Sequence, residues 1–277
     1  RYRDRQMNVI APAKLNLCLY LGPTHDDGMH QLVSIFEPLS LRDELTVSEA
    51  PADEVLCPAV PGENLATRAL RVLRSEGWES PPLKIEIDKK IPVAAGLGGG
   101  SADAAAVLRL AGGEVDDLAG IAATLGADVP SQIDPVTCLV EGVGQKLTTL
   151  PVAADHWIVL LPGGGGLSTA EVFAEADRIG IGRSQEELDE IAGRLWAVAS
   201  NAVSPLAYPA LLVNDLERPA ISLRPEIGSA MQAMEEAGAG FVAMTGSGPT
   251  VFGIFADAQT AADAAASLGD EAILCQG

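Results

Sequence analysis

Ile91-Pro-Val-Ala-Ala-Gly-Leu-Gly-Gly-Gly-Ser-Ala-Asp-Ala-Ala-Ala-Val-Leu-Arg-Leu110 is the stretch from which the fold is predicted. Before it, residues 83–88 alternate apolar and polar side chains, which predicts a half-buried strand. After its glycines, residues 102–111 are nearly all Ala, Leu and Val, which predicts a buried helix that ends at Gly112 and Gly113. A strand, a glycine-rich loop and a helix start form an anion site, because the first N–H groups of a helix are unpaired and glycines let the backbone approach a phosphate.

Other kinds of glycine-rich turn compete with this interpretation. The simplest is a turn without any function. The dinucleotide-binding fingerprint is nearly met by Gly96-x-Gly98-x-x-Ser101, but its last position is not Gly, and residues 89–92 separate the strand from the glycines. A Walker loop needs Lys before its Ser or Thr, whereas this sequence has Gly-Gly-Ser. The residues therefore favour a phosphate loop of another type, with two lysines just ahead of it.

The net charge of −20 over 277 residues argues against nucleic acids and anionic membranes as partners. It also draws attention to the lysines, of which there are only five. Three of them, Lys14, Lys89 and Lys90, lie in the two segments that we assign to an active site. A protein this acidic that handles phosphates must concentrate its positive charge locally.

Composition further predicts a globular protein that works in the cytoplasm. The sequence is 48% hydrophobic but has no apolar run of 18 residues, so we expect no membrane span, and its opening does not look like a signal peptide. The four cysteines are far apart and lack metal-binding spacing. We expect them to be free thiols in a reducing compartment.

Several polar residues stand at positions where a structural and a functional role compete. Lys14 and Asn16 share one face of a predicted strand, where a lysine either reaches water from a sheet edge or faces a phosphate or a carboxylate. Asn64 opens an amphipathic helix over residues 63–73 and fits an N-cap. Asp128 follows a predicted helix over residues 115–125 and precedes Pro130, where an Asp often stabilises a turn.

The run Pro92-x-x-x-Gly96-Leu97-Gly98-Gly99-Gly100-Ser101-Ala102 resembles the ATP loop of the GHMP kinases. Gly126-Ala-Asp-Val-Pro130 and Thr245-Gly-Ser-Gly-Pro-Thr250 are similar to further motifs of that family and stand in the expected order. The resemblance implies an α+β protein with the two-domain GHMP kinase fold. Residues 1–152 would form the N-terminal α/β domain, and residues 153–277 a C-terminal ferredoxin-like domain.

Two opening segments are similar to one branch of this family, whose members phosphorylate a cytidine-diphosphate-linked polyol on the route to isoprenoid precursors. They are Ala11-Pro-Ala-Lys-Leu-Asn-Leu17 and Asp27-Gly-Met-His-Gln-Leu32. Met29 stands where that branch usually has a Tyr that stacks on cytosine, although a Met can also pack on a ring face. The resemblance implies that His30 and Phe173 contact the cytidine; the competing roles are a structural hydrogen bond for His30 and core packing for Phe173.

The resemblance also implies the chemistry, which is transfer of the ATP γ-phosphoryl group to a hydroxyl with the help of Mg²⁺. Asp128 would accept the hydroxyl proton, and Lys14 would keep that carboxylate ionised and neutralise the phosphoryl group. The implied ATP-binding residues are Asn64, Lys89, Pro92, Gly96, Leu97, Gly98, Gly99, Gly100 and Ser101, and Ser101 is the candidate Mg²⁺ ligand. The implied substrate-binding residues are Asn16, Met29, His30, Phe173, Thr245, Gly246 and Ser247.

Two rival functions stay open at this point. Another GHMP kinase of the homoserine or mevalonate type would share the ATP loop, but it has no evident need for the segment around His30. A non-catalytic nucleotide-binding relative would not need both Lys14 and Asp128. The presence of both favours an enzyme.

Overall fold

The structure, a computed structural model, describes residues 6–25, 28–60, 62–165 and 167–277, so Asp27 of the predicted substrate segment lies outside the described residues. Within these ranges the chain forms ten strands and eight α-helices. The strands are β1 (Met7–Thr24), β2 (His30–Glu49), β3 (Glu54–Leu56), β4 (Leu83–Asp88), β5 (Cys138–Gly142), β6 (Lys146–Thr149), β7 (Trp157–Leu161), β8 (Phe241–Met244), β9 (Val251–Phe255) and β10 (Ile273–Gln276). The helices are α1 (Leu65–Ser75), α2 (Gly99–Arg109), α3 (Leu118–Leu125), α4 (Thr169–Arg178), α5 (Gln185–Ala199), α6 (Glu217–Leu223), α7 (Glu226–Glu236) and α8 (Ala258–Leu268). None of the described helices is long and apolar enough to cross a membrane.

The chain forms two compact units that are discontinuous in sequence. The first unit comprises the chain up to Ala13, Leu41–Val93 and Gly98–Pro135. The second comprises Lys14–Ser40, Ala94–Leu97 and Val136–Gly277. Strands β1 and β2 therefore each contribute residues to both units, whereas the boundary predicted near residue 152 is a single cut; that boundary stays a prediction.

The first unit is built around the strand that precedes the glycine loop. The predicted strand over residues 83–88 is confirmed as β4, whose odd-numbered residues are at most 4% exposed while the even-numbered ones face out. β4 pairs antiparallel with residues 44–49 of β2 and parallel with β3. Helices α1 and α2 pack on each other, and the alanines at 104–106 of α2 are fully buried. Their small side chains let the helix that follows the glycine loop lie close to its neighbours.

The second unit contains an antiparallel sheet with the strand order β10-β7-β9-β8. Along the chain, helices follow β7, then β8 and β9 are consecutive, and α8 precedes β10. The sheet takes the order fourth, first, third, second, which is the ferredoxin-like arrangement and confirms the predicted fold class. Residues 32–36 of β2 pair with β5, which in turn pairs with β6. Helix α6 was not predicted, because it is short and carries Pro219 in its first turn.

A buried ion pair joins β2 to the residue before β7 in the second unit. His156 Nε2 lies 3.2 Å from Glu37 Oε2, and His156 Nδ1 lies 3.0 Å from Ala154 O. The two side chains are 2% and 3% exposed. Burial on its own lowers the pKa of His156, but the hydrogen bond and charge of Glu37, the carbonyl of Ala154 and the charge of Asp155 outweigh it and raise the pKa above its usual value.

We expect this pair to make stability depend on pH. A raised pKa means that folding favours protonated His156, so its contribution is complete below the unfolded pKa, about 6.5, and is lost as the pH rises through the folded value. The denaturant concentration at the unfolding midpoint of the wild type should therefore decrease as the pH is raised from about 6 to about 9. Glu37→Gln should flatten this dependence. Equal pH slopes for the wild type and Glu37→Gln would contradict the assignment.

Candidate active site

The glycine loop leads directly into α2, which begins three residues earlier than the sequence predicts, at Gly99 rather than Ala102. Gly99, Gly100 and Ser101 form its first turn, and Gly98 precedes them with a left-handed φ of 69°. The N–H of Ala102 donates a hydrogen bond to Gly98 O at 2.9 Å. The predicted start was wrong because glycine has low helix propensity, which packing overrides here. The first N–H groups of a helix lack intrahelical partners, so the predicted anion site at this turn stays a prediction.

Lys89, predicted to lie by the nucleotide, is held by two buried carboxylates in the first unit. Its Nζ lies 2.5 Å from Asp43 Oδ2 and 2.8 Å from Asp103 Oδ2. The other oxygen of Asp43 accepts the N–H groups of Lys90 and Ile91, at 2.6 and 2.9 Å. Asp43 thereby fixes the backbone at the point where β4 leads into the glycine loop. Sequence reasoning missed both carboxylates, because neither belongs to a motif that the sequence analysis singled out for binding.

One ammonium and two carboxylates share this cluster. Burial opposes the charge of Lys89, but Asp103 and Asp43 outweigh it and raise the pKa of Lys89. Burial raises the pKa of Asp103 to about 7, although Lys89 opposes that shift. Asp103 Oδ1 is buried and has no hydrogen-bond partner among the described residues. Lys89 therefore has a structural partnership in addition to its predicted contact with ATP, which stays a prediction.

Gly96, the first glycine of the loop, packs against residues 245–250 within the second unit. Its φ is +79°, and a Cβ at this position would lie 2.9 Å from Gly248 O. Next to it, Thr250 Oγ1 donates to Ala95 O at 2.6 Å. Glycine is required at residue 96 both by its backbone angles and by the close approach of another backbone. Of the other loop residues, Pro92 is half-buried.

Lys14 is a buried lysine, with 5% of its surface exposed, so the interpretation as an edge lysine that reaches water is wrong. Its Nζ lies 2.5 Å from Asn16 Oδ1 and 4.8 Å from the centre of the Phe36 ring. Its backbone N–H donates to Leu97 O at 3.0 Å. A Cβ on Gly246 would lie 3.8 Å from Lys14 Nζ, so the backbone of that glycine also lies close to the ammonium. The second unit thus presents a positioned cation beside a glycine turn.

The loop from Thr245 to Ser247 is fixed by side chains that the sequence analysis did not single out. Asn214 Nδ2 donates to Met244 O at 2.7 Å and to Gly246 O at 2.8 Å. Ser247 Oγ lies 2.9 Å from Thr169 Oγ1. Asn214 stands in Asn214-Asp-Leu-Glu217, a segment that resembles the family, and this was the available signal for its importance.

His30 and Phe173 lie against each other in the second unit. Their ring centres are 5.3 Å apart, with the planes tilted by 47°. His30 Nε2 also lies 3.3 Å from Asp177 Oδ1, and His30 Nδ1 lies 3.3 Å from Thr24 Oγ1. Met29 is 43% exposed. Two rings and an exposed thioether from neighbouring positions offer apolar surface with a polar edge.

In the first unit, Asn64 lies just before the start of α1 and Asp128 lies just after the end of α3. Asn64 Oδ1 accepts the N–H and the hydroxyl of Thr67, at 2.9 and 3.1 Å, which confirms the N-cap of α1. Asp128 is half-buried and follows α3, and its backbone carbonyl accepts Ser131 Oγ at 2.8 Å. That bond stabilises the turn through the main chain of Asp128. The predicted ATP contact of Asn64 and the predicted catalytic role of Asp128 stay predictions.

The predicted site residues divide between the two units. The first unit contains Asn64, Lys89, Pro92, Gly98, Gly99, Gly100, Ser101 and Asp128. The second contains Lys14, Asn16, Met29, His30, Gly96, Leu97, Phe173, Thr245, Gly246 and Ser247. Within the second unit the structure brings Lys14, Asn16 and Gly246 together, and separately His30 and Phe173.

The chain contains a glycine loop that opens a helix, followed by a ferredoxin-like sheet. Its sequence matches two family models. The model for the N-terminal domain of GHMP kinases matches residues 64–142, and the model for their C-terminal domain matches residues 182–273. The chain belongs to the GHMP kinase family and is a small-molecule kinase.

Individual relatives show which members of this family the chain is similar to. The chain is 38% identical to the 4-diphosphocytidyl-2-C-methyl-D-erythritol kinase of Thermobifida fusca, over 95% of this chain and 91% of the relative. It is 40% identical to the enzyme of that name from Saccharopolyspora erythraea, over 95% and 87%. A crystal structure of 4-(cytidine 5'-diphospho)-2C-methyl-D-erythritol kinase superposes with a TM-score of 0.82 at 31% identity, covering 98% of each chain. A homoserine kinase from Cytophaga hutchinsonii, at 17% identity and a TM-score of 0.71 over 99% of this chain and 95% of that one, shares the fold.

Proposed function

We propose that this protein is an ATP-dependent kinase that phosphorylates the 2-hydroxyl of 4-diphosphocytidyl-2-C-methyl-D-erythritol, a step towards isoprenoid precursors. The observation that carries the proposal is the identity of 38–40% with relatives of that name over 95% of this chain. The contact between the rings of His30 and Phe173 supports a site on the protein for the nucleobase of the acceptor. Homoserine and mevalonate kinases share the fold at 16–19% identity, which supports no particular acceptor.

The proposed roles follow the charge that develops during phosphoryl transfer. The transition state spreads negative charge over the phosphoryl oxygens, so positioned cations and N–H groups do most of the catalytic work. The first turn of α2 binds phosphate, Lys14 neutralises the transferred group, and Asp128 accepts the hydroxyl proton. Thr245, Gly246 and Ser247 contact the acceptor.

ATP and Mg²⁺ are the expected nucleotide and metal. No group of three or more His, Cys, Asp or Glu side chains within the described part of the chain could hold a metal ion. This fits Mg²⁺, which is usually bound by few protein ligands together with substrate phosphates and shields their charge. Ser101, half-buried in the first turn of α2, is the proposed protein ligand.

We further propose that the protein works in the cytoplasm on a small molecule, with no nucleic acid or membrane as partner. Its four cysteines are free, which suits a reducing compartment. The net charge of −20 disfavours polyanionic partners. The proposed division near residue 152 is supported by the two family models, which match on either side of it.

The experiment that tests the function is a phosphoryl-transfer assay with ATP and three acceptors. These are 4-diphosphocytidyl-2-C-methyl-D-erythritol, homoserine and mevalonate. We expect the cytidine compound to give the highest kcat/KM by orders of magnitude. Preference for either of the other acceptors would overturn the assignment, and ATP binding without any transfer would indicate a non-catalytic relative.

Phe173→Ala should raise KM for the cytidine substrate far more than KM for ATP. Stacking of a base on an aromatic ring is worth about 1–3 kcal/mol, so we expect roughly a tenfold to hundredfold increase. Because Met29 stands where the branch usually has Tyr, Phe173 should carry more of the ring contact. Met29→Tyr should tighten the cytidine substrate or leave its affinity unchanged.

Phe241→Ala is the matched control for this prediction. Phe241 is also half-buried in the second unit, but its ring partner is Phe252, at 6.1 Å. It should lower the unfolding temperature without selective change in KM. If Phe173→Ala behaves in the same way, Phe173 belongs to the core and not to the cytidine site.

A further inference from the structure

Four polar or aromatic residues on β1 and β2 form a patch around Lys14 within the second unit. Lys14 and Asn16 are two residues apart on β1 and therefore share a face, as do Ser34 and Phe36 on β2. β1 pairs with β2. Ser34 is fully buried, and neither the motifs nor the proposed mechanism give it a role.

The hydrogen bonds of this patch have a fixed direction. Ser34 Oγ lies 2.5 Å from Cys18 O, and a carbonyl can only accept, so the Ser34 hydroxyl is the donor there. Its oxygen is then the acceptor for Asn16 Nδ2, at 3.0 Å. An amide that turns its NH₂ group to Ser34 turns its oxygen the other way, and Asn16 Oδ1 accepts from Lys14 Nζ at 2.5 Å. The backbone of Asn16 is held too, since its N–H donates to Thr245 Oγ1 at 2.9 Å.

We propose that Ser34 is a positioning residue for phosphoryl transfer, which sets the orientation of the Asn16 amide and through it the position of the Lys14 ammonium. Asn16 would then position Lys14 in addition to its proposed contact with the acceptor. Without the Ser34 hydroxyl, Asn16 Nδ2 lacks its buried acceptor, and the amide can turn its NH₂ group towards the ammonium, which repels it. Lys14 would lose the hydrogen bond to Asn16 Oδ1 while keeping its charge. The consequence for catalysis rests on the proposed function, because it requires that Lys14 acts on the phosphoryl group.

The kinetic test is a double-mutant cycle between Ser34 and Lys14. Ser34→Ala should lower kcat roughly tenfold to hundredfold, the scale of a displaced catalytic group, with little change in KM for ATP. In a Lys14→Met background the same change should have almost no further effect, because its target is gone. Ser34→Thr, which keeps the hydroxyl, should retain most of the activity. Equal losses in both backgrounds would overturn the proposal.

A second readout does not depend on activity. Only five lysines are present, so nitrogen-15 NMR of their ammonium groups is simple to assign, with Lys14 identified by its loss in Lys14→Met. Ser34→Ala should shift the Lys14 signal and leave the other four in place. Ser267→Ala is the control, because that hydroxyl also donates to a backbone carbonyl, Ala264 O at 2.8 Å. An unmoved Lys14 signal overturns the proposal whatever the enzyme does. A shifted signal in a protein that phosphorylates none of the acceptors upholds the positioning and overturns only the proposed function.

Discussion

Asp128→Asn should bind ATP nearly as well as the wild type and turn over at least about a hundredfold more slowly, the scale of general-base loss. The amide has the size of the carboxylate but cannot take the acceptor's proton. Asp128 follows α3 and is half-buried, and its turn is stabilised through its own carbonyl and Ser131, so the substitution should leave that turn intact. The measurement is kcat beside the dissociation constant of ATP.

Asp116→Asn provides the control for this prediction. Asp116 is an exposed carboxylate of the same unit, ahead of α3, so its neutralisation changes the net charge equally without touching the proposed base. It should keep the kcat of the wild type. A wild-type kcat in Asp128→Asn would remove Asp128 from the mechanism, and an equal loss in both variants would trace the effect to charge alone.

Elements with a clear hydrophobic period were predictable from the sequence, and those whose limits depend on tertiary contacts were not. The strand at residues 83–88 has the predicted bounds. β2 continues for 20 residues through Pro38, a residue type that local propensity disfavours inside a strand. α2 begins on glycines, at the proposed anion site. Local propensity cannot supply this limit, because the packing of α2 in the first unit determines it.

In the candidate site, the motifs were predictable from the sequence, but the residues that hold them in place were not. The glycine loop and the positions of Lys14 and His30 could be read as patterns within short segments. Their partners could not, because Asp43 lies 46 residues from Lys89 in sequence and Asn214 lies 32 from Gly246. Pairs of this kind form only when the chain folds, and a single sequence carries no record of them.

Lys14→Met should lower kcat at least about a hundredfold and weaken ATP binding much less. Its charge is needed most where negative charge develops, so removing it costs more in the transition state than in the ground state. The variant should still fold, because Met matches the length of the buried stem and removes the cost of burying an ammonium. Asn16 Oδ1 loses its partner, which costs about 1–3 kcal/mol of stability and should show as a lower unfolding temperature.

Lys146→Met is the matched control for Lys14→Met, because the Lys146 side chain is 65% exposed and pairs at the surface with Glu141, 2.7 Å away. It removes the same charge from the protein, and we expect kcat and KM to stay at their wild-type values, since exposed ion pairs contribute little. Lys14→Arg separates charge from geometry: the larger planar head keeps the charge but cannot occupy the place of Nζ beside Asn16 and Phe36, so we expect it to recover ATP affinity and only a small part of kcat. A Lys14→Met enzyme with normal kcat and raised KM for ATP would make Lys14 a ground-state phosphate ligand, and the phosphoryl group would then need another cation in the transition state.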